Sequence, residues 1–302
     1  MTRVFFIVGP TATGKSELAA EVAQKLGAEI VSADAFQIYR GLDLLTAKPD
    51  EATLAKARHH LISSLPLTEE MNAEKYRAAA EEIIREIHAR GKPVIVVGGS
   101  GLYVKALTHG LAKLPEANPK LRETLEQAST DELFRSLSAL DPAGAKLIDS
   151  QNRRRLVRAV EVCLLSRKPF SAQRTEWNAS LPTNGILLYR DRAELYARIN
   201  QRVEQMFEAG VVEEVRAMKK AGPTAEKTLG LAEIQALLAG EMSRAECIAK
   251  IQQATRRYAK RQLTWFQRQT NFAALNLSKH GSSEAIDLLS QTPNAFGSLA
   301  HE

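Results

Sequence analysis

The segment Gly9-Pro10-Thr11-Ala12-Thr13-Gly14-Lys15-Ser16 has the spacing G-x-x-x-x-G-K-S. Its glycines let successive backbone N–H groups turn inward on an anion, and a helix starting at the lysine adds its positive end. Lys15 supplies a point charge, and the Ser16 hydroxyl is a ligand for Mg²⁺. The chemistry is the grip of a phosphate chain, with Gly9, Thr11, Ala12, Thr13, Gly14, Lys15 and Ser16 as its contacts. An acid, Asp34, follows a second apolar run in Ser32-Ala33-Asp34, and Gly98-Gly99-Ser100-Gly101 follows a third. A P-loop protein that hydrolyses NTP usually ends such a strand in a carboxylate that holds Mg²⁺. Here that place is glycine, so Asp34 is expected to face a substrate; the plainer alternative is a turn or cap residue.

These residues need a scaffold that brings three loops together. Val4–Val8, Glu29–Val31 and Val94–Val97 are short apolar runs bounded by turn signals, the pattern of strands buried on both faces of a parallel sheet. Helical periodicity over 16–26 and 73–90 separates them. The alternation predicts an α/β fold, a P-loop NTPase-like parallel sheet flanked by helices, whose carboxyl edge gathers the loops at Gly9, Asp34 and Gly98. From 118 to 182 strand signals vanish, with breaks at Asp141-Pro142 and Lys168-Pro169, so a helical insertion is expected there. A strand over 186–189 and helices over 193–209 and 211–221 return the chain to the sheet. The core domain is therefore expected at 1–117 and 183–280, and 281–302 as a C-terminal tail whose end, 291–302, is loosely held.

The 302 residues hold 41 Lys plus Arg against 35 Asp plus Glu, a formal charge of +6 that matters only where it is clustered. Arg256, Arg257, Lys260, Arg261 and Arg268 occur without an intervening acid, interleaved with Tyr258, Trp265 and Phe266. One helical turn separates Arg257 from Arg261, so they share a face that tracks phosphates. Arg153-Arg154-Arg155 with Arg158 form a second cluster in the insertion. Either cluster alone is more commonly a solvated helix face; the pair suggests a clamp on RNA. Cys163 and Cys247 lie far apart in apolar context, which indicates neither a disulfide framework nor a zinc site. His59-His60 lacks a third ligand at useful spacing and reads as structural, and Trp177 and Tyr189 read as packing residues. No leader-like or bilayer-spanning segment is seen, so a cytoplasmic protein without a membrane anchor is expected.

With these residues in place, the sequence resembles the bacterial tRNA dimethylallyltransferases (tRNA isopentenyltransferases). The matching stretches are GPTATGKS, SADAFQIYRGLDLLTAKP, HHLI, VGGSGLYVKAL, RRRLVRAVEV, DR-x-x-LY-x-RI-x-x-RV at Asp191 to Val203, and TRRYAKRQLTWF at Thr255 to Phe266. They cover most of the chain. The resemblance implies that the loop holds dimethylallyl diphosphate, with Mg²⁺ on Ser16 as cofactor. The dimethylallyl group then moves to N6 of adenine-37 in tRNAs that read codons beginning with U, giving N6-dimethylallyladenosine and diphosphate. It further implies catalytic roles for Asp34 as general base, Ser100 in place of the family's threonine, and Arg202 on the diphosphate. The tRNA anticodon stem-loop is the implied partner, met by Asp34, Ala35, Phe36, Gln37, Ser100, Arg122, Arg154, Arg155, Arg158, Lys227, Arg257 and Arg261 of a monomer.

Besides Ser100, the chain departs from the family pattern in four places. Ala35-Phe36 stands for Ser-Arg, Leu45-Thr46 for Gly-Thr, Arg154-Arg155 for Gln-Arg, and Gly230-Leu231-Ala232 for Gly-Tyr-Lys or Gly-Tyr-Arg. These leave the chemistry intact and alter the expected tRNA contacts. Three other readings stay open: prenyl transfer to a free adenine nucleotide, a P-loop small-molecule kinase, and a non-enzymatic RNA-binding module. The basic clusters favour tRNA over a free nucleotide, and TRRYAKRQLTWF speaks against the kinase.

Overall fold

Alternate residues of the central strands belong to opposite apolar layers. In the computed structural model, which describes residues 4–112, 114–173 and 184–291, Phe6, Val8, Val31, Val94 and Val96 share one buried cluster, and Phe5, Ile7, Ile30, Ile95 and Val97 share the other. That two-residue alternation is the pleat of a sheet covered on both faces. The strands are β1 (Val4–Val8), β2 (Glu29–Ser32), β3 (His59–His60), β4 (Val94–Gly98), β5 (Gly185–Tyr189) and β6 (Ala273–Asn276). They form one parallel sheet in the order β3-β2-β4-β1-β5-β6. The expected α/β architecture is thus present, and the loops after β1, β2 and β4 leave the same edge.

Four helices accompany the first four strands: α1 (Lys15–Leu26), α2 (Glu51–Leu54), α3 (Ala73–Ala89) and α4 (Gly101–His109). Leu18 and Val22 of α1 cover the Phe5 face, and Tyr76, Ala80 and Ile87 of α3 cover the Phe6 face. Then come α5 (Pro119–Gln127), α6 (Thr130–Leu140), α7 (Pro142–Leu147) and α8 (Arg153–Ser166), followed by α9 (Arg192–Glu208), α10 (Val211–Ala217), α11 (Leu231–Leu238), α12 (Arg244–Gln269) and α13 (Leu277–Gln291). Two compact units result: Met1–Thr108 with Pro182–Glu302, and His109–Leu181. The inserted unit begins where Gly110, in the left-handed region at φ 73°, ends α4, ahead of the composition break at 118. Its own core joins Leu133 and Leu137 of α6 to Leu156 and Val160 of α8.

The structure corrects three expectations. The helix expected over 211–221 stops at Ala217, because Met218 is extended and the chain turns so that Gly222 lies against Thr68; a Cβ there would sit 2.7 Å from the Thr68 carbonyl oxygen. The tail expected from 281 begins as helix, with α13 running to Gln291 across a kink at Gly281 and burying Ala285 and Leu289 in the cluster that holds α1. Its apolar residues are too few to stand out among Ser, Lys and His. Strands β3 and β6 are additions: β3 is two residues long, and β6 lies at the sheet edge with its first two residues exposed. Trp177 lies outside the described residues, and Tyr189 ends β5 half-buried. No described helix is long and apolar enough to cross a membrane.

Candidate active site

The loop after β1 is held from three sides. Gly14 caps α1 at φ 91°, a left-handed conformation open to glycine. A Cβ on Gly9 would lie 2.2 Å from the Leu188 carbonyl oxygen, so β5 closes on the loop only because residue 9 lacks one. Within the loop, Thr13 Oγ1 and Lys15 Nζ both donate to the Pro10 carbonyl, at 2.9 and 3.2 Å. From outside, Arg190 Nε donates to the Thr13 carbonyl and Arg198 Nε to the Ala12 carbonyl, each at 2.9 Å. Turning carbonyls toward arginines leaves the opposite face of the loop to its N–H groups, as an anion cradle requires.

Gln262 on α12 joins this loop to the glycine-rich one. Its Oε1 accepts from Thr11 N and its Nε2 donates to the Gly99 carbonyl, both at 2.9 Å. Three glycines permit the close fit. A Cβ on Gly98 would lie 2.1 Å from the Ala33 carbonyl oxygen, one on Gly99 2.2 Å from Gln262 Nε2, and one on Gly101 2.3 Å from the Trp265 ring. Ser100 then ties to the segment after β2: its N–H donates to the Ala33 carbonyl at 3.1 Å, and its Oγ accepts from Ala35 N at 2.9 Å.

Asp34 stands at the centre. Its Oδ1 accepts from Phe36 N at 2.9 Å and Gln37 N at 3.3 Å. The turn role and the site role thus coincide, the turn fixing the carboxylate's direction. Asp34 lines both of the site's cavities. One, about 780 Å³ counting its open mouth, has apolar walls from Leu45, Ile199, Val203, Met206, Phe207 and Ile251, together with Thr11, Arg202 and Tyr258. The other, about 360 Å³, is lined by Lys15, Ser16, Ser32, Gln37 and His59 among others. An apolar chamber, a phosphate cradle and a carboxylate between them suit transfer of a small hydrocarbon group from a phosphate ester.

The electrostatics agree. Burial pushes the Lys15 ammonium down to about 8, Asp34 pulls it back up, and Arg202 pushes it down. Arg202 is itself lowered by burial, opposed by Glu17 and reinforced by Arg198. Two half-buried cations close enough to repel each other make a site that a polyanion relieves. The Tyr258 phenol is raised by burial and by the Asp34 charge, against hydrogen bonds with the Ser100 and Gln262 side chains, so it stays a neutral donor beside the carboxylate.

The remaining expected residues divide. Gln37 donates Nε2 to the Thr46 and Ala47 carbonyls at 3.2 and 3.0 Å and so holds the next loop. Phe36 lines the apolar cavity. Leu231 is buried in the core beside α9 and α12. Arg257 and Arg261 are exposed on α12, with Arg261 5.8 Å over the Tyr258 ring, and Lys227 is exposed in a short turn. Arg256 instead donates to Asn200 Oδ1 at 2.6 Å. In the inserted unit, Arg154 and Arg155 are exposed, whereas Arg122 and Arg158 hold the fully buried Glu161 at 3.0 and 2.6 Å. Burial pushes that carboxyl up, but the two arginines and the Asn118 N–H hold it below the usual range. The sequence reading passed over Arg190, Arg198 and Gln262; the one signal for Gln262 is a polar residue at a core position of an amphipathic helix. Among the described residues no three His, Cys, Asp or Glu side chains converge on a metal position. A cation here would rest on Ser16 and on substrate oxygens, which suits the hydrated habit of Mg²⁺.

Fold and site together define a P-loop enzyme of the group-transfer kind. The IPP transferase family model matches residues 37–269, and the chain belongs to that family. It is 43% identical over 281 residues to the tRNA dimethylallyltransferase of Akkermansia muciniphila, covering 93% of this chain and 96% of that one. Among solved structures it resembles the tRNA isopentenylpyrophosphate transferase of Bacillus halodurans, with a TM-score of 0.70 and 32% identity over 96% of this chain and 95% of that one. It also resembles a eukaryotic dimethylallyltransferase acting on tRNA, with a TM-score of 0.79 and 25% identity over 97% of this chain and 81% of that one.

Proposed function

We propose that the protein transfers the dimethylallyl group of dimethylallyl diphosphate to N6 of adenine-37 in the tRNA anticodon loop. The observation that carries this reading is the place of Asp34, between a cradle for the diphosphate and an apolar cavity. The names of the relatives support tRNA as acceptor. The adenine N6 attacks C1 of the dimethylallyl group, the bond from C1 to the diphosphate oxygen breaks, and Asp34 takes the proton that N6 loses. An exocyclic amine is a poor nucleophile, so a positioned carboxylate base is worth about 10²–10⁴-fold. Lys15, Arg202 and the loop N–H groups take up the charge that accumulates on the departing diphosphate. Mg²⁺, held by Ser16 and diphosphate oxygens, would supply further neutralisation of that charge.

Exposed Arg257 and Arg261, on the same helix as Gln262, favour an RNA acceptor over a free nucleotide, since they continue the basic surface beyond what one phosphate needs. The base must leave the stack, which a loop nucleotide does at little cost. The test incubates protein, Mg²⁺ and labelled dimethylallyl diphosphate with an anticodon stem-loop containing A36-A37-A38 or with AMP, and runs ATP plus stem-loop as the kinase control. Label in the stem-loop alone is the expected result. Label in AMP alone makes the enzyme an adenylate prenyltransferase, and phosphate transfer from ATP makes it a kinase.

A further inference from the structure

His59 and His60 are neighbours with opposite fates. Successive residues of a strand point to opposite faces. His60 places Nε2 2.7 Å from the buried Glu29 carboxylate, which Arg90 and Lys92 also hold. His59 lines the second cavity with Lys15, Ser16, Ser32 and Asp34. Both of its ring nitrogens are buried; the Thr53 backbone favours the N–H form of one, and the other, the acceptor, has no hydrogen-bond partner among the described residues. A buried polar group left unpaired costs about 1–3 kcal/mol, and an orphan of this kind calls for a ligand that supplies the missing bond.

The cavity's chemistry narrows that ligand. A neutral imidazole has one donor and one acceptor nitrogen, and around it Asp34 accepts while Ser16 and Ser32 accept as readily as they donate. A diphosphate offers only acceptors, so it leaves the imidazole acceptor unmet. Water bound to a divalent cation donates both its protons. Mg²⁺ keeps several such waters when it sits on a phosphate chain, and those waters need acceptors on the protein.

We propose that His59 accepts a hydrogen bond from a water in the hydration shell of the divalent cation that Ser16 and the donor diphosphate hold. It is then a positioning residue for the leaving group. This rests on the donor site described under the proposed function. Loss of such an outer partner typically weakens metal affinity by about 10–100-fold.

The test is calorimetric titration of the full chain with inorganic pyrophosphate, with and without excess Mg²⁺. Wild type, His59→Ala, His59→Leu and His59→Gln are compared after thermal melts confirm folding; alanine and leucine both remove the acceptor, so a folding failure in one leaves the other. With Mg²⁺, the alanine and leucine variants should bind pyrophosphate about tenfold or more weakly. Glutamine, which keeps an acceptor oxygen at similar reach, should restore part of the loss. Without Mg²⁺ all should bind alike. Equal affinity with Mg²⁺ overturns the proposal, as does an equal loss without it, which would make His59 a direct contact of the anion. Pyrophosphate binding absent from the wild type would instead overturn the donor site itself, and this inference with it.

Discussion

At the edge of the sheet, Arg190 and Arg198 donate to carbonyls of the phosphate loop and Arg202 faces a cavity. In the inserted unit, Arg122 and Arg158 close on the Glu161 carboxylate, while Arg154 and Arg155 point into solvent. As sequence these are all basic residues within or beside helices. What separates them is the partner: a loop backbone that must stay open to an anion, a buried acid that must be neutralised, or water. Arg122 and Arg158 brace the buried acid while their side chains stay 38% and 30% exposed, and Arg154 and Arg155 are the unit's exposed pair.

The sharpest way to break that division is to remove both partners of the buried acid. Arg122→Ala/Arg158→Ala leaves Glu161 buried without a counter-charge, and the inserted unit should lose about 3–5 kcal/mol. Thermal melting and limited proteolysis within 109–181 read this out, and an unchanged melt would show that the two arginines do not brace the acid. At the sheet edge, Lys15→Ala removes the charge that the proposed function assigns to the departing diphosphate. Single-turnover transfer should fall by about 10²–10³-fold, the usual effect of removing one such donor, with melting temperature little changed. Gln262→Ala leaves the Thr11 N–H and the Gly99 carbonyl unpaired at about 1–3 kcal/mol. It should raise the KM for donor, because the two loops lose their common tie.

A pH series separates the regions further. The ligand-free protein holds Lys15 at about 8, below its ordinary 10.5. Burial is the cause, and a bound diphosphate favours the charged form. Pyrophosphate affinity should therefore be full below about pH 8 and fall as pH rises through that value, by at most about tenfold per pH unit. The same shift means that the unfolded chain binds more protons between 8 and 10.5, so the ligand-free fold gains stability across that window. The smallest effect is expected of Arg154→Ala/Arg155→Ala: affinity for the stem-loop should weaken and its salt dependence should flatten, with KM for the donor unchanged.

The phosphate loop, Asp34 and the glycine-rich loop were legible because each carries its chemistry in a short local pattern, and the parallel sheet was legible because its buried strands are continuous apolar runs. Three things were not. Gln262 lies about 250 positions along the chain from the loop it braces, and no local pattern reports a contact at that distance. The apolar chamber is assembled from the loop at 45, α9 and α12, whose apolar residues look like any helix core until the packing leaves a gap. His59 and His60 look alike because sequence does not reveal which face of a two-residue strand meets Glu29 and which meets Ser16.

The central claim is that Asp34 removes the proton while the loop holds the leaving group. Asp34→Asn keeps the turn to Phe36 and Gln37 and abolishes the base. In a single-turnover assay with labelled dimethylallyl diphosphate and the stem-loop, transfer is expected to fall by at least about 100-fold, with stem-loop and pyrophosphate affinities near those of the wild type. A wild-type transfer rate in that variant would contradict the account.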